Sequence, residues 1–127
     1  MQPRQVDTPA MRALVVEDDP LVRVLVCDVL REAGLDVLEA DDVDEALAIW
    51  AREPGVRVLT DIGLPGRSGV DLIAVIRRAE PAGGRTRTRI VAMTAEPRHR
   101  LACLQAGADR FLLKPVSPKE LLAALLH

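Results

Sequence analysis

Short apolar runs alternate with longer amphipathic segments along most of the chain, and this alternation predicts its secondary structure. The apolar runs predict five strands, at residues 13–16, 35–40, 56–60, 89–94 and 110–113. Several of these runs are apolar at every position, which is typical of parallel strands that helices cover on both faces. The segments between them carry apolar residues at helical spacing and predict the covering helices.

Capping residues predict where the helices begin and end. The first helix is predicted to start at Pro20 after the N-cap Asp19, because proline lacks the N–H that would be unpaired there, and to stop at Gly34. Its core-facing stripe is predicted to be Val22, Leu25, Val26, Val29 and Leu30. The second helix is predicted to start at an Asp42/Glu45 capping box and to end before Pro54. Ser68 is the predicted cap of the third helix, and the fourth runs from about Pro97 to Gly107. A Ser117–Glu120 capping box is predicted to open the fifth.

Five β-α units in succession predict one doubly wound α/β domain with right-handed crossovers and helices on both faces of the sheet. We assign this domain to residues 11–127. Residues 1–10 are polar, contain two prolines and lack periodicity, so we expect a flexible N-terminal tail.

Composition narrows the class of protein. The chain has 127 residues, of which 49% are hydrophobic and 28% charged, which excludes a disordered or low-complexity chain. A net charge of −2 argues against direct nucleic-acid binding, and we interpret the arginines around residues 77–89 as a solvated edge. We expect a cytoplasmic protein without membrane insertion, in which Cys27 and Cys103 are reduced packing thiols.

Chemically active side chains follow four of the five predicted strands. Glu17 and Asp18 follow the first strand, Asp61 the third, Thr94 the fourth and Lys114 the fifth. Ligands of doubly wound sheets bind beyond the carboxyl ends of the strands, so these groups are expected at one rim. Three carboxylates brought together need compensation by a cation or by protons, and carboxylates with waters and a carbonyl suit Mg²⁺.

Four motifs carry a resemblance to a known family. The stretches 15–20 (VVEDDP), 60–69 (TDIGLPGRSG), 92–95 (AMTA) and 111–115 (FLLKP) resemble, in this order and spacing, the receiver domain of two-component response regulators. The resemblance covers the chain from about Met11 to its end. It implies a flavodoxin-like five-stranded parallel sheet of order 2-1-3-4-5 and signalling by phosphorylation of one aspartate.

The resemblance also implies roles for the rim residues. Asp61 is the expected phosphoacceptor, taking a phosphoryl group from a histidine kinase or a histidine phosphotransfer protein. Glu17, Asp18, Asp61 and the carbonyl of Gly63 are the expected Mg²⁺ ligands, and Lys114 is expected to stabilise the phosphoryl oxygens. The protein is then a phosphoacceptor that assists its own phosphorylation and autodephosphorylation, and not an enzyme acting on a separate substrate.

The same resemblance implies a conformational switch. The hydroxyl of Thr94 is expected to move to the phosphoryl group, which lets Phe111 rotate inward, and the Lys114–Pro115 bond is expected to be cis. The last helix is apolar on all sides, which predicts either tolerated exposed leucines or a partner contact on the face of helix 4, strand 5 and helix 5. Candidate occupants of that face are a downstream protein target, a covalently linked output domain or a second copy in a homodimer.

Three positions depart from the family pattern or stand out near the rim. Gly63 replaces a bulkier side chain and should open the phosphoryl group to water, while Glu96 adds a negative charge near the rim. We therefore predict an acyl phosphate that is short-lived or unusually sensitive to substitution at these two positions. Thr60 is polar where an apolar residue is usual, and the sequence alone assigns it no role.

Three other functions are weaker alternatives. A phosphohydrolase of the haloacid dehalogenase type normally has a second aspartate two residues after the nucleophile, where this chain has Gly63. A redox flavoprotein needs a phosphate-cradling loop after the first strand and aromatic residues for the flavin, but the chain lacks such a loop and has hardly any aromatic residues. A receiver fold that only binds partners would not need the full set of ligands.

Overall fold

The computed structural model describes residues 11–82 and 84–127. The predicted tail at residues 1–10 lies outside the described residues. Five strands alternate with five α-helices over the part described: β1 (Arg12–Val16), α1 (Pro20–Glu32), β2 (Asp36–Ala40), α2 (Val43–Arg52), β3 (Arg57–Asp61), α3 (Gly69–Ala79), β4 (Ile90–Thr94), α4 (Arg100–Ala106), β5 (Arg110–Leu113) and α5 (Pro118–Leu126).

The strands form one parallel sheet in the order β2-β1-β3-β4-β5, which confirms the predicted flavodoxin-like fold. Side chains of β1 alternate between two apolar layers, with Leu14 and Val16 on one face and Ala13 and Val15 on the other. Helices α2, α3 and α4 cover the first layer and α1 and α5 the second. Because all strands are parallel, their carboxyl ends form one rim.

The predicted caps hold with one correction. Asp19 accepts hydrogen bonds from the N–H groups of Leu21 and Val22, and both Ser68 and Ser117 open complete capping boxes. At α2, the carboxylate of Asp42 accepts from the Glu45 N–H, but the Glu45 carboxylate accepts from the N–H of Asp41 and not of Asp42. The reciprocal half of that capping box is therefore displaced by one residue.

The predicted core stripe of α1 is partly wrong. Cys27 and Leu30 are the buried residues of α1, whereas Leu25 is 59% exposed. Val22, Val26 and Val29 are half-buried, and with Leu25 they line an open groove against the β5–α5 loop. Apolar residues cover more of this helix than one core-facing stripe needs, so spacing alone could not choose the buried face.

The last two helices also differ from expectation. The segment predicted as one helix from Pro97 starts with a 3₁₀ turn, Pro97–His99, before α4, and it ends as predicted at Gly107, whose φ is +117°. On α5, Leu121, Ala124 and Leu125 are buried while Leu122 and Leu126 are half-buried. The unpartnered apolar surface predicted on this helix is therefore small, since packing on the sheet covers most of it.

Arginines 77–89 are more than a solvated edge. The guanidinium of Arg77 is mostly buried and donates to the carboxylates of Glu80 and Asp109 and to the carbonyls of Thr88 and Gly107. It ties α3 to the loops before β4 and β5. Sequence patterning missed this role because the partners lie up to 32 residues away.

Two further expectations concern burial. Cys27 and Cys103 are both buried, as predicted for packing thiols, and burial raises the pKa of Cys27 to about 11. No helix among the described residues has the length and apolar character needed to cross a membrane.

Candidate functional site

The carboxyl ends of the strands bring the predicted acidic residues together. Glu17 and Asp18 directly follow β1, and Asp61 is the last residue of β3, which lies beside β1 in the sheet. Each of the three side chains offers a carboxylate oxygen, and these oxygens lie within 4.8 Å of one another. Glu17 is 1% exposed and Asp61 is buried, whereas Asp18 is open to solvent.

Lys114 reaches this acidic group from β5. Its Nζ lies 2.9 Å from Glu17 Oε1 and 3.2 Å from Asp61 Oδ1. Its backbone N–H donates to the carbonyl of Thr94, at 2.8 Å, and the peptide bond to Pro115 is cis. The ammonium therefore bridges the carboxylates at the ends of β1 and β3.

The charges of the site do not cancel. Burial raises the pKa of Glu17 more than the hydrogen bonds from Lys114 and the Asp19 N–H lower it. Burial lowers the pKa of Lys114, but the hydrogen bond to Glu17 and the charge of Asp61 raise it by more. The pKa of Lys114 is therefore raised overall. One ammonium, on Lys114, pairs with two of the three clustered carboxyl groups, so the cluster favours a further cation.

Two glycines after β3 shape the surroundings of Asp61 in opposite ways. A Cβ at Gly63, which is exposed in the loop two residues past Asp61, would meet no described atom within 4 Å. A Cβ at Gly69 would lie under 3.0 Å from the carbonyl oxygen of Asp61 and 3.0 Å from Ile62 Cα. The surface at Gly63 is therefore open, while the backbone of Asp61 is closely packed against Gly69.

Thr60 belongs to this packed region and was missed as a site residue. It is fully buried, and its hydroxyl donates to the carbonyl oxygen of Asp61 at 2.7 Å. The Gly69 N–H donates to the Ile62 carbonyl at 2.9 Å and holds the next peptide. A polar residue inside an apolar strand was the available signal, but the partner could not be read from it.

Arg23 is a second residue that sequence reasoning missed. Its Nη1 donates to the carbonyl of Glu17 at 2.7 Å and to the Asp41 carboxylate at 2.8 Å, and its Nε donates to Glu39. Arg23 thus fastens the turn after β1 to the end of β2. Its position in the first turns of α1 gave no distinguishing signal.

The predicted switch residues lie on neighbouring strands. Thr94 is buried at the end of β4, and its Oγ1 accepts a hydrogen bond from the Glu96 N–H at 3.2 Å. Phe111 is half-buried on β5 and packs against the core layer covered by α2, α3 and α4. Glu96 itself is exposed and pairs with Arg98 at 3.4 Å, which offsets the charge it adds near the rim.

A comparison with protein families decides the class of this site. A model described as the response regulator receiver domain matches residues 13–126. The chain belongs to the response regulator receiver domain family. The resemblance stated from four motifs is thereby confirmed, and the phosphohydrolase alternative is not supported. Receiver domains are phosphoacceptor signalling modules of two-component systems.

Individual proteins are similar to this receiver domain. The phosphate regulon transcriptional regulatory protein PhoB of Escherichia coli is 38% identical over 121 residues, which are 91% of this chain and 50% of PhoB. The receiver domain of the sensor histidine kinase PA1611 of Pseudomonas aeruginosa, solved with a magnesium ion coordinated in its active site cleft, is 31% identical with a TM-score of 0.82. That alignment covers 92% of this chain and 95% of the other.

A third similar structure is a co-crystal of the Saccharomyces cerevisiae histidine phosphotransfer signaling protein Ypd1 with the receiver domain of its downstream response regulator Ssk1. The match is 26% identical, has a TM-score of 0.79, and covers 93% of this chain and 94% of that chain. This receiver domain spans about half the length of the PhoB proteins it matches.

Proposed function

We propose that Asp61 is the phosphoacceptor of this receiver domain, and that it takes its phosphoryl group from the phosphohistidine of a histidine kinase or a phosphotransfer protein. One observation carries the proposal: the carboxylate of Asp61 lies within 4.8 Å of those of Glu17 and Asp18 and within 3.2 Å of the Lys114 ammonium. Phosphoryl transfer depends chiefly on positioning and charge neutralisation, and this rim supplies the groups for both.

The residues present fit a bound Mg²⁺. Three carboxylate oxygens within 4.8 Å form a hard, oxygen-only donor set, and the excess negative charge described above favours a divalent cation. Glu17, Asp18, Asp61 and the carbonyl of Gly63 would hold the ion. When bound, Mg²⁺ supplies positive charge that neutralises the phosphoryl oxygens.

In the proposed transfer, a carboxylate oxygen of Asp61 forms a bond to phosphorus as the bond between phosphorus and the donor's imidazole nitrogen breaks. The electron pair of the broken bond remains on the imidazole. Lys114, already directed at Asp61, stabilises negative charge on the phosphoryl oxygens. A hydroxyl donates and accepts at once, so Thr94 can donate to the phosphoryl group while it accepts from the Glu96 N–H.

The resulting acyl phosphate is removed by water in the same cleft. A water molecule attacks phosphorus, the bond to the Asp61 oxygen breaks, and inorganic phosphate leaves with the carboxylate restored. The space beside Gly63 admits that water, since a side chain there would meet no described atom within 4 Å. This autodephosphorylation sets the lifetime of the signal.

We assign docking of the phosphodonor to an apolar face of α1 beside the rim. Leu21 is 68% exposed, Val24 52% and Leu25 59%. Behind Leu25, a groove of about 560 Å³ extends to Lys114 and Pro115. A helical partner placed on this face would bring its phosphohistidine near Asp61, as exposed apolar patches of this kind mark interaction sites.

We assign the conformational response to phosphorylation to the surface formed by α4, β5 and α5. Leu101 on α4 is 64% exposed, Leu113 on β5 is 44% exposed, and Phe111 on β5 is half-buried. Movement of Thr94 toward a phosphoryl group would let Phe111 turn inward and change this α4–β5–α5 face. A downstream target, an output domain or a second copy would read that change.

The phosphoacceptor is tested by incubating the protein with acetyl phosphate and Mg²⁺ and measuring intact mass. We expect the mass of one HPO₃ group on the wild type, none on Asp61→Asn, and none when EDTA removes the metal. Asn is nearly the same shape as Asp, so the variant keeps the packing of the site. Equal labelling of Asp61→Asn would contradict the proposal, and an unlabelled wild type would favour a receiver fold that only binds partners.

The docking surface is tested separately with a matched pair of leucines. We expect Leu25→Ser to slow transfer from phosphorylated histidine phosphotransfer proteins at least about tenfold, the equivalent of about 1.4 kcal/mol. Leu101→Ser, equally exposed but on α4, should leave transfer unchanged, and acetyl phosphate should label both variants at the wild-type rate. Equal transfer to the two variants would remove α1 from the docking surface.

A further inference from the structure

A cavity of about 270 Å³ opens at the amino end of the sheet, opposite the phosphorylation rim. We call it the arginine cavity, and it is lined by Arg57, Arg85, Thr86, Arg87, Thr88 and Arg89, together with Gly55 and Val56. Arg57 begins β3 and Arg89 directly precedes β4, so the cavity lies about 13 Å along β3 from Asp61. Four arginines contribute to its lining, and no acidic residue does so among the described residues.

Three of these guanidinium groups lack an ionic partner. Arg87 pairs with Asp109 at 3.0 Å, but Arg57, Arg85 and Arg89 form no ion pair with any residue in 11–82 and 84–127. The nearby Glu53 carboxylate is paired with Arg12. Like charges confined to one cavity repel one another, so the cavity favours an anion of more than one charge.

Backbone carbonyls hold the arginines in place without using all their donors. Arg57 donates to the Leu125 carbonyl and Arg89 Nε donates to the Ala124 carbonyl at 2.9 Å, both at the C-terminal end of α5. Arg85 donates to the Trp50 and Glu53 carbonyls and stacks 4.1 Å over the Trp50 ring. A guanidinium has five N–H donors, so these contacts orient the groups and leave further donors available.

One donor shows the need for an acceptor directly. Arg89 Nη2 is buried and has no hydrogen-bond partner among the described residues. A buried charged donor without a partner is costly, and such groups are normally satisfied by a bound ion or water. The C-terminal dipole of α5 offsets only about half a charge, so the cavity keeps a net positive charge.

We propose that the arginine cavity binds a small phosphate-bearing anion, at a site separate from Asp61. Guanidinium forks match phosphate oxygens in pairs, and the cavity volume is several times the roughly 30 Å³ that a water occupies in the liquid. A diphosphate group supplies the charge and the number of acceptors that four arginines can use. The site does not depend on the phosphoacceptor function.

The test is a titration of ¹⁵N-labelled protein with inorganic pyrophosphate in Mg²⁺-free buffer at constant ionic strength. We expect saturable shifts of the amide resonances of Gly55 and residues 84–89, and the same shifts in Asp61→Asn. Arg89→Gln should weaken binding about tenfold or more, because it removes a charge-assisted contact. Arg87 donates no hydrogen bond to α5, so Arg87→Gln should also weaken binding while the spectrum stays that of a folded protein.

Arg100→Gln provides the matched control, since it removes one exposed arginine of α4 outside the cavity and should leave the affinity unchanged. Shifts that do not saturate, or equal affinity in the Arg89→Gln, Arg87→Gln and Arg100→Gln variants, would overturn the proposal. A mixed-sequence DNA duplex is the second titrant. Shifts of the same amides by the duplex but not by pyrophosphate would replace the small anion with a nucleic-acid backbone and would also overturn it.

Discussion

Substitution of Gly69 by alanine tests how tightly the backbone behind Asp61 is held. The new Cβ would lie under 3.0 Å from the Asp61 carbonyl oxygen and 3.0 Å from Ile62 Cα. Both neighbours are backbone atoms, so they cannot rotate away as a flexible side chain could. The same carbonyl oxygen accepts a hydrogen bond from the hydroxyl of Thr60, a buried residue of β3. The substitution must therefore displace the backbone of Asp61 or the start of α3, which carries position 69.

The magnitude follows from two opposing contributions. Overpacking of this kind costs about 3 kcal/mol, and replacing glycine with alanine in a helix recovers at most about 1 kcal/mol. The free energy of unfolding should fall by about 2 kcal/mol, which lowers Tm by about 8 °C for a chain of this size. Displacement of the carboxylate should also slow labelling by acetyl phosphate, at least about tenfold, because transfer depends on alignment.

Gly63→Ala is the matched control, because it adds the same methyl group two residues after Asp61, at a position where no described atom lies within 4 Å. Its Tm should stay within about 2 °C of the wild type. Thermal unfolding followed by circular dichroism measures stability, and intact mass measures the labelling rate. If Gly69→Ala is as stable and as readily labelled as Gly63→Ala, the close packing behind Asp61 is refuted.

Two further predictions concern signal lifetime and acid stability. Gly63→Met should lengthen the lifetime of the acyl phosphate several-fold. Glu96→Ala should change the lifetime less, because Arg98 already offsets the charge of Glu96. Unchanged decay of the labelled mass in Gly63→Met would contradict the argument that the open space at Gly63 admits water. Burial raises the pKa of Asp109, but hydrogen bonds from the Ile90 N–H and Arg87, with the charge of Arg77, lower it overall. Its contribution to stability is therefore complete above the unfolded pKa of about 4 and is lost as the pH falls below it. The urea midpoint of Asp109→Asn should depend less on pH in this acid range than that of the wild type, and equal pH dependence would refute the assignment.

Local signals predicted the elements well because their determinants lie close together in sequence. The Asp19-Pro20 and Ser117-Pro118 pairs mark helix starts through hydrogen bonds that span three residues. Apolar runs likewise located all five strands to within about one residue. The order of the strands in the sheet followed from the resemblance to receiver domains. The rim residues could be gathered on one edge because parallel strands end on the same side.

Features that depend on how side chains and helices pack in three dimensions could not be predicted. The pairing of Lys114 with Glu17 joins residues 97 positions apart, and the contact of Thr60 with the Asp61 carbonyl depends on how a hydroxyl points inside a filled core. The groove beside α1 depends on how that helix rotates on the sheet, which its broad apolar surface leaves undetermined. In each case the chain supplies the residue type, and the packing of other elements decides its partner.

The central claim, that Asp61 carries the phosphoryl group, is tested most directly by locating the modification. Borohydride reduces an acyl phosphate to an alcohol, so treatment after labelling with acetyl phosphate and Mg²⁺ converts the modified aspartate to homoserine. Peptide mass spectrometry should find homoserine at position 61 and unchanged aspartate at position 18, with no conversion when acetyl phosphate is omitted. Homoserine at position 18, or at no position in a labelled sample, would contradict the account.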